Sequence, residues 1–549
     1  MQTRSAPIAA FHALALAAAL VFTACGGSDG GTPIDAAQPQ NDSFTLSLST
    51  DKALLLQGDS ATLTVQLQRK AGFDGAVTVA LAGLPAGVAA APVTIPAGSS
   101  STAITVTATP AAPHSLPTAV RVSGSANGLV ANQTFTVTVR GLPGAVDTSF
   151  ANGKIVLPVG VGEDYANAAA VQADGKLLVA GSSNTTAGTQ VSLVRYGRDG
   201  ALDPSFGTGG KVMTAVGGAA GGNNDQALAV AVQADGKIVI AGRSQQAGDD
   251  DFLLVRYNAD GSLDASFGNG GKVVTDFAGG TDVARAIVIQ ADGKIVVGGA
   301  ATMSDSGIDF ALARYNTNGS LDASFGGAGR VTTALKSGTG SDSVHALAIQ
   351  PVQGEARILA VGGEGDFLAA RYSSSGQLDA GFATGGKLVG VFGSNIGRAH
   401  AVSVLPDGRT VLAGHSNHDF ALAQLTVDGT LDASFGSGGR VVRAVTTNWD
   451  EATAIVRQAD GSLVVGGWAY SGNSSAGDFV AMRFTAAGLP DASFGQQGLV
   501  VTPMAAGTLG DMAHTLVLQA DDRLPAVRAI QAGEANGANN DFAITRYWL

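Results

Sequence analysis

Short runs in which apolar and polar residues alternate, separated by turns rich in glycine, fill the chain from residue 44 onward. Residues 61–67 alternate strictly between apolar and polar side chains, and residues 134–139 do the same in the opposite phase. A period of two residues is typical of a β-strand with one buried and one solvated face. The pattern therefore predicts an all-β protein made of many short antiparallel strands.

A set of four such strands lies between residues 284 and 333. Residues 284–289 and 294–298 predict two strands joined by a tight turn, in which Gly293 tolerates the positive φ that a hairpin needs. A longer polar stretch leads to a third strand at 309–315, and a fourth follows at 329–333. Four antiparallel strands that bury both faces against their neighbours form one blade of a β-propeller.

The same set recurs along the chain with a recognisable phrase, Leu-Asp-Ala-Ser-Phe-Gly at 263–268. A period of 53–61 residues separates the copies of its phenylalanine. These phenylalanines are Phe150, Phe206, Phe267, Phe325, Phe382, Phe435 and Phe494. A repeat of this length that carries several strands predicts a propeller, and the count predicts seven four-stranded blades over residues 141–549.

The two ends of the repeat array predict how the propeller closes. The array begins at 147–150 with a fourth strand and ends at 546–549 with a third. Residues 154–158 are therefore expected to supply the outer strand of the last blade, which leaves no open sheet edge. The last repeat departs from the pattern at 521–525, where Pro525 cannot donate to a strand ladder.

Two further motifs carry a family resemblance. Gln-Ala-Asp-Gly-Lys occurs at 172–176, 233–237 and 290–294. Arg-Tyr occurs at 195–196, 256–257, 314–315, 371–372 and 546–547. On these motifs the region resembles the bacterial delta-60 repeat family and the related kelch blades, which implies a propeller. The resemblance implies little about activity.

The N-terminus has the features of an export signal. Arg4 precedes an almost wholly apolar run at 8–22, and Thr-Ala-Cys-Gly-Gly follows at 23–27. This end resembles a bacterial lipobox, in which Cys25 becomes the lipidated first residue, although Phe22 departs from the usual aliphatic residue. The resemblance implies a signal peptide at 1–24 and a protein held at the outer membrane. If Cys25 is not lipidated, cleavage near Ala24 would give a secreted protein.

Between this signal and the repeats, composition predicts two further segments. Residues 25–42 are rich in Gly, Ser, Asp, Pro and Gln and predict a flexible tether. Residues 43–140 alternate in short strands and predict a β-sandwich of about seven strands. The run at 73–77 followed by 83–88 resembles bacterial immunoglobulin-like modules, which implies a spacer.

Charge and motif content narrow the function. The formal net charge of −12, without Lys/Arg patches, disfavours nucleic acid as a partner. A single cysteine rules out an internal disulfide. The sequence has no nucleophile elbow, His-Glu-x-x-His helix, phosphate loop or dinucleotide fingerprint. We therefore nominate no catalytic residue, metal site or cofactor from motifs.

Residues that recur in every repeat are best explained as scaffold. An aspartate precedes most first strands, at Asp164, Asp225, Asp282, Asp342, Asp450 and Asp511. Such a ring could hold cations, but an aspartate that accepts backbone amides is the favoured interpretation. The turns that echo calcium loops, such as 258–264, are likewise interpreted as turns, because other copies lack the carboxylates a calcium site needs.

Function is instead expected where one repeat departs from the others. The stretches 180–190, 299–309, 467–477 and 529–540 are predicted as long variable loops on one side of the ring, where binding usually resides. The candidate ligand-binding residues map to that side or close to it. They are Trp449, Trp468, Tyr470, Arg285, His345, His400, His415, His418 and His514. Arg285, His345, His400 and His514 are predicted at equivalent first-strand positions, and His415 and His418 are predicted in the loop after the second strand of the fifth blade.

Three interpretations of these residues are open. The aromatic residues could form a platform for a sugar or peptide, with His and Arg donating hydrogen bonds. His400, His415 and His418 could coordinate a transition metal. All of them could simply pack over the mouth of the ring.

The sequence as a whole predicts an exported, lipid-anchored cell-envelope protein whose propeller binds a glycan or a protein. The alternatives are a hydrolase or lyase acting on extracellular polymers, and a purely structural envelope component. The first alternative rests on fold analogy alone.

Overall fold

The computed structural model describes residues 43–217, 223–246, 248–336, 340–393, 396–470, 477–505, 510–521, 526–537 and 539–549. The predicted signal, Cys25, the tether, Pro525 and part of the stretch 467–477 lie outside the described residues. Within them the structure has 37 β-strands and one 3-10 turn, Ala151–Gly153, but no α-helix. Accordingly, no described helix is long and apolar enough to cross a bilayer.

The first region consists of two sheets. Its strands are β1 (Phe44–Leu48), β2 (Lys52–Leu56), β3 (Ser60–Arg69), β4 (Val77–Ala82), β5 (Val88–Ala89), β6 (Val93–Ile95), β7 (Ser101–Ala108), β8 (Thr118–Ala126) and β9 (Leu129–Arg140). One sheet has the order β1-β3-β7-β5, and the other has the order β2-β9-β8-β4-β6. The expected count of about seven strands is too low, because β5 and β6 are only two and three residues long.

These two sheets enclose one hydrophobic core. Phe44, Val65 and Ile104 come from the first sheet, and Val77 and Phe135 come from the second. All are buried. The alternation seen in the sequence therefore places the apolar side of each strand between the sheets, as in a β-sandwich.

The remaining strands form seven sets of four, here called units 1 to 7. Unit 1 comprises β11 (Asp164–Val171), β12 (Leu177–Thr185), β13 (Gly188–Tyr196) and β14 (Lys211–Thr214); unit 2 comprises β15 (Asn223–Val232), β16 (Ile238–Gln246), β17 (Asp249–Tyr257) and β18 (Lys272–Thr275). Unit 3 comprises β19 (Asp282–Ile289), β20 (Ile295–Met303), β21 (Gly307–Tyr315) and β22 (Arg330–Thr333); unit 4 comprises β23 (Val344–Val352), β24 (Glu355–Gly362), β25 (Leu368–Tyr372) and β26 (Lys387–Val389). Unit 5 comprises β27 (Gly397–Val404), β28 (Thr410–Ser416), β29 (Asp419–Leu425) and β30 (Arg440–Arg443); unit 6 comprises β31 (Asp450–Arg457), β32 (Leu463–Tyr470), β33 (Gly477–Phe484) and β34 (Leu499–Thr502). Unit 7 comprises β35 (Met512–Asp521), β36 (Ala526–Asn536), β37 (Asn540–Trp548) and, from the start of the array, β10 (Lys154–Leu157).

Unit 7 confirms the predicted closing strand. β10 pairs antiparallel with β37, from Lys154 opposite Thr545 to Leu157 opposite Phe542. The first strand of each unit also contacts the first strand of the next, and β11 contacts β35. The first strands therefore line the inside of a closed cycle.

Every first strand contains a β-bulge at the same position. In unit 3, for example, the pairing with β20 skips Arg285. The glycine opposite the bulge lies so close that a Cβ on Gly299 would stand 1.9 Å from the Val283 carbonyl oxygen. The same approach recurs at Gly181, Gly242, Gly362, Gly414, Gly467 and Gly533. The glycine opposite each bulge is thus required, because any side chain there would collide with the bulged strand.

The residues of the repeated Leu-Asp-Ala-Ser-Phe-Gly phrase take part in contacts within each unit and with the next unit. Phe267 is fully buried, and the guanidinium of Arg256 stacks 4.3 Å from its ring centroid. The same Arg256 donates through Nε to Asp264 at 2.8 Å and through Nη1 to the Thr317 carbonyl of unit 3. This charge-assisted network recurs around the ring and explains why the phrase and the Arg-Tyr motif repeat together.

The aspartate before the first strand has the expected structural role. Asp164 accepts the amides of Val159 and Gly160 at 2.7 and 2.9 Å, and Asp511 accepts that of Met504 at 2.7 Å. Unit 5 has Gly397 at this position. There Asp366 accepts the amides of the equivalent loop, at Phe392 and Gly393. The repeated carboxylates therefore fix loops by hydrogen bonds.

The predicted long loops are wrong, because strands occupy most of them. Thr185 and Gly188 close a hairpin in which β12 and β13 pair along their whole length. β20 and β21 pair in the same way as far as Met303 opposite Gly307. Likewise, β36 runs to Asn536 and pairs with Asn540 of β37. Polar residues at the ends of these strands reach solvent, which gave them the composition of a loop.

The sandwich region contacts the closing unit. The His114 ring lies edge-on to the Trp548 ring at 4.7 Å, and His114 Nδ1 lies 3.5 Å from Asp147 Oδ1. Asp147 is fully buried and also contacts Arg528 and Arg546, each at 2.8 Å. The carboxylate of the first phrase therefore connects the sandwich region, the start of the array and its end.

Candidate ligand site at the mouth of the ring

The bulges place seven side chains at one end of the ring, here called the mouth. These bulge residues are Asn167, Leu228, Arg285, His345, His400, Thr453 and His514. The prediction that Arg285 and three histidines occupy equivalent first-strand positions is therefore confirmed. Because the bulge is common to every unit, differences in chemistry around the mouth come from side chains alone.

Two bulge residues have a structural role. Asn167 donates through Nδ2 to the Ala227 carbonyl at 2.8 Å, and Thr453 donates to the Ala513 carbonyl at 2.8 Å. Each therefore connects its own first strand to that of the next unit. Arg285, His345 and His400 make no such bond within the described residues. The mouth is thus chemically distinct along units 3 to 5.

Histidine rings of units 4 and 5 form a continuous row. His345 lies edge-on to His400 with ring centroids 5.0 Å apart, and His400 stacks on His415 at 5.6 Å. Burial, with the charges of His400 and Arg285 beside it, lowers the pKa of His345 well below its ordinary value. Burial also lowers the pKa of His415 to about 4, although Glu451 opposes that shift. His345 and His415 are therefore neutral at pH 7.

Glu451 joins this row from the neighbouring unit. Its Oε1 lies 2.7 Å from His400 Nε2, and its Oε2 lies 3.8 Å from His415 Nδ1. Trp449 donates through Nε1 to Oε2 at 3.2 Å. Burial alone would raise the pKa of Glu451, but the His400 ring outweighs burial and lowers it to about 2. The carboxylate is therefore charged.

Arg285 has no counterion among the described residues. Its Nε is buried without a hydrogen-bond partner. Burial lowers the pKa of Arg285, as do the charges of Arg398 and Arg243, while Glu364 opposes the shift. Those two neighbours are themselves paired, Arg398 with Glu364 and Arg243 with Asp250. An arginine keeps its charge even when its pKa is lowered, so the mouth holds an uncompensated cation.

His514, the remaining predicted bulge residue, has a partner of its own. Its Nε2 lies 2.6 Å from Glu534 Oε2 on the opposite strand. Burial lowers the pKa of His514, but the Glu534 charge outweighs it and the net shift is upward. Both residues of this pair lie in unit 7, and each is the partner of the other.

The predicted aromatic residues fall into two groups. The Trp468 and Tyr470 rings are 4.9 Å apart, and Trp468 is only 8% exposed. Gly466, two residues earlier on the same strand, lies against Gln531 of unit 7, so alternation turns Trp468 to that side. Trp449, 36% exposed, instead contacts His418 of unit 5 at 4.3 Å. No ring contact among the described residues joins the two groups.

Three of the predicted site residues lie elsewhere than expected. His415 and Trp468 were expected in loops but lie in strands β28 and β32. His418 lies in the two-residue turn after β28, with a φ of 74°. His418 contacts Trp449 and is not the third member of the group. Glu451 lies beside His400 and His415 instead.

Three charged residues around the mouth, Glu451, Arg398 and Glu534, were not predicted from the sequence. Glu451 and Arg398 occupy the position two residues before the bulge residue, and Glu534 lies opposite that position in its unit. Other units have Tyr165 or Val283 there. A comparison of the repeats at that position would have found the departures.

One family model matches several of the repeats. Five segments match the family described as "Domain of unknown function (DUF5122) beta-propeller". They are residues 172–206, 233–267, 290–325, 405–435 and 458–494. Each of them ends at the phenylalanine of the phrase. No curated protein matches the sequence.

Similar solved structures have low identity. A DUF4784 family protein from Bacteroides caccae is 10% identical over 83% of this chain and 98% of its own, with a TM-score of 0.25. Domains 4–9 of the surface layer protein SbsC are 11% identical over 92% and 82%, with a TM-score of 0.15. The ICAM-5 D1-D4 ectodomain fragment is 10% identical over 92% and 98%, with a TM-score of 0.16. These likenesses carry no argument about this chain. The five repeat matches, together with the sheets, support a β-propeller repeat family.

Proposed function

We propose that this chain is an exported binding protein of the bacterial cell envelope, and that the mouth of a seven-bladed propeller holds its ligand. In this proposal units 1 to 7 are the blades, and the sandwich is an immunoglobulin-like spacer. The closed cycle of first strands and the pairing of β10 with β37 support seven blades. A propeller is a rigid ring on which side chains can vary without changing the fold, which suits a binding scaffold.

The observation that carries the proposal is the uncompensated guanidinium of Arg285. A half-buried charge without a partner is costly to the folded protein, which favours a partner supplied from outside. Arginine presents a planar fork of donors that fits a carboxylate in two hydrogen bonds. The ligand is therefore a molecule that carries a carboxylate.

An acidic glycan is the favoured class. Contacts run from Trp449 through His415 and His400 to His345 and the charge of Arg285. An exposed tryptophan face suits the apolar face of a sugar ring, and the imidazoles suit its hydroxyl groups. Within one row, the mouth thus combines the groups that a uronic acid residue needs.

A glycan array tests this proposal. The mature chain, made with Cys25→Ser to keep it unlipidated, would be applied to acidic and neutral glycans and to acidic peptides. Binding confined to acidic glycans is expected. Arg285→Gln should reduce it by about tenfold or more, because hydrogen bonds to a charged group are lost. Arg121→Gln on the exposed side of the sandwich changes the net charge equally and should leave binding unchanged. Binding to peptides alone would replace the glycan by a protein ligand.

The envelope location is tested separately. Three features support it: the apolar run before Cys25, the lipobox-like end and the tether that follows. Acyl chains contribute about 0.8 kcal/mol for each buried CH₂, so a multiply acylated cysteine holds a protein at the membrane almost irreversibly. Cys25→Ser should move the protein from the membrane to the soluble fraction. A protein that stays membrane-bound after high-salt washing would contradict lipidation.

A further inference from the structure

Three side chains from two units converge beside the Arg285 region. His400 stands at the bulge of β27, His415 lies on β28, and Glu451 lies at the start of β31 in the next unit. One ring nitrogen of His400, one of His415 and a carboxylate oxygen of Glu451 all lie within 4.8 Å of one another. Each is held on a strand rather than a loop, so their relative positions are set by the sheet.

The contacts within this group are not those of a closed hydrogen-bonded cluster. His400 Nε2 is paired with Glu451 Oε1 at 2.7 Å, whereas His415 Nδ1 is buried without a hydrogen-bond partner and lies 3.8 Å from Oε2. His415 is 5% exposed. A buried ring nitrogen without a partner is costly, so its lone pair is available for another ligand.

We propose that His400 Nε2, His415 Nδ1 and the Glu451 carboxylate bind a divalent transition-metal ion, with Zn²⁺ as the reference ion. Two imidazoles and a carboxylate are donors typical of zinc and neighbouring metals, and not of Ca²⁺ or Mg²⁺. Tetrahedral zinc ligands stand about 3.3 Å apart, given metal–ligand distances of about 2.0 Å. The two histidine-to-carboxylate separations, 2.7 and 3.8 Å to different oxygens of Glu451, lie on either side of that value.

The surroundings support the site. Trp449 donates to Oε2 of Glu451 and orients the carboxylate, as outer hydrogen bonds do at zinc sites. Arg398, the nearest arginine on the same strand as His400, is paired with Glu364. Three protein ligands leave a coordination position for water or for an oxygen of a bound molecule. The metal ligands share His400 and His415 with the row proposed to contact the glycan, but they do not include Arg285, which carries that proposal.

Calorimetric titration of Zn²⁺ into the untagged, chelator-treated mature chain tests the site. One equivalent is expected to bind tightly. His415→Gln and Glu451→Gln should each weaken this binding by about 100-fold or more, since a loss of outer-shell contacts alone costs 10- to 100-fold. His514→Gln is the matched control, because His514 occupies the same bulge position as His400 but is paired with Glu534. It should bind Zn²⁺ like the unaltered protein.

A second variant decides the matter if a ligand variant fails to fold. Trp449→Phe keeps the three ligands and removes the donor to Glu451, so it should weaken Zn²⁺ binding by about tenfold with unchanged thermal unfolding. The proposal is overturned if the unaltered chain binds no Zn²⁺, or if His514→Gln weakens binding as much as His415→Gln. Glycan binding repeated with a chelator separates the two sites: its persistence would leave the Arg285 site intact whatever the metal result.

Discussion

At the scale of single residues, hydrogen bonds that recur between neighbouring units show which side chains have a structural role. The hydroxyl of Tyr315 donates to Thr275 Oγ1 at 2.9 Å, at the end of the preceding unit. Tyr257, Tyr372 and Tyr547 do the same with Thr214, Thr333 and Thr502. Tyr196 alone among these five tyrosines has a buried hydroxyl without a partner. Leu157 takes the place of the threonine beside it.

This difference predicts that replacing tyrosine by phenylalanine changes the free energy of unfolding differently at two equivalent positions. Tyr315→Phe leaves the Thr275 hydroxyl buried without its partner and should lower the free energy of unfolding by about 1–2 kcal/mol. Tyr196→Phe removes a hydroxyl that makes no bond, and should be neutral or stabilising. Urea unfolding of both variants measures the effect. An equal loss in both would contradict the pairing.

The glycine opposite each bulge gives a second prediction. Gly299→Ala would force its Cβ against the Val283 carbonyl at 1.9 Å, so the strands must separate. We expect a loss of about 2–4 kcal/mol in the free energy of unfolding. Gly327→Ala, whose Cβ would find only the Arg330 carbonyl at 3.9 Å, is the control and should be nearly neutral. Comparable stability of both variants would show that the bulge can relax.

Sequence reasoning at this scale succeeds for residues that repeat and fails for pairs that meet across units. Arg285, His345, His400 and His514 were placed correctly because the repeat supplies their register. Glu451 was missed because its contact with His400 arises only when the first strands of two units pack side by side. Such a contact leaves no periodic signal in the sequence.

At the scale of elements, closure depends on β10. Ile155 and Leu157 pack against the core of units 7 and 1, whereas Val156 between them is 44% exposed. The number and order of strands in each unit follow from the alternation pattern. The length of the hairpins does not, because strand pairing continues through the polar residues that resemble loops.

Charges introduced on β10 test this closure. Ile155→Asp/Leu157→Asp should remove β10 from unit 7 and destabilise the ring by about 2–4 kcal/mol, because two partly buried positions that pack against the core acquire charge. The exposed edge of β37 should then promote aggregation. Val156→Asp on the outer side of the same strand should be nearly neutral. Thermal unfolding followed by light scattering distinguishes the two. Equal stability of both variants would contradict closure by β10.

At the scale of the whole molecule, the phrase aspartates predict how the ring responds to acid. Burial alone would raise the pKa of Asp264, but hydrogen bonds from Ser266 and Lys237 and the Arg256 charge lower it well below its usual range. Asp203 and Asp322 behave alike. The unfolded chain therefore binds more protons than the folded one below about pH 4, the ordinary pKa of aspartate.

The stability from these groups is thus present above about pH 4 and is lost as the pH falls further. The urea midpoint of the propeller should fall steeply below pH 4. Asp322→Asn should lower the midpoint at pH 7 and make its decline in acid shallower. A midpoint that does not change between pH 5 and pH 2 would show that these carboxylates contribute nothing.

The central claim is that the departures from the repeat at the mouth form a binding site for a carboxylate-bearing glycan. Titration of a polyuronate into the mature chain, with Arg285→Gln and Arg121→Gln beside it, tests this claim most directly. We predict saturable binding that Arg285→Gln weakens by about tenfold or more and Arg121→Gln leaves unchanged. Binding that both variants retain equally, or no binding by the unaltered chain, would contradict it.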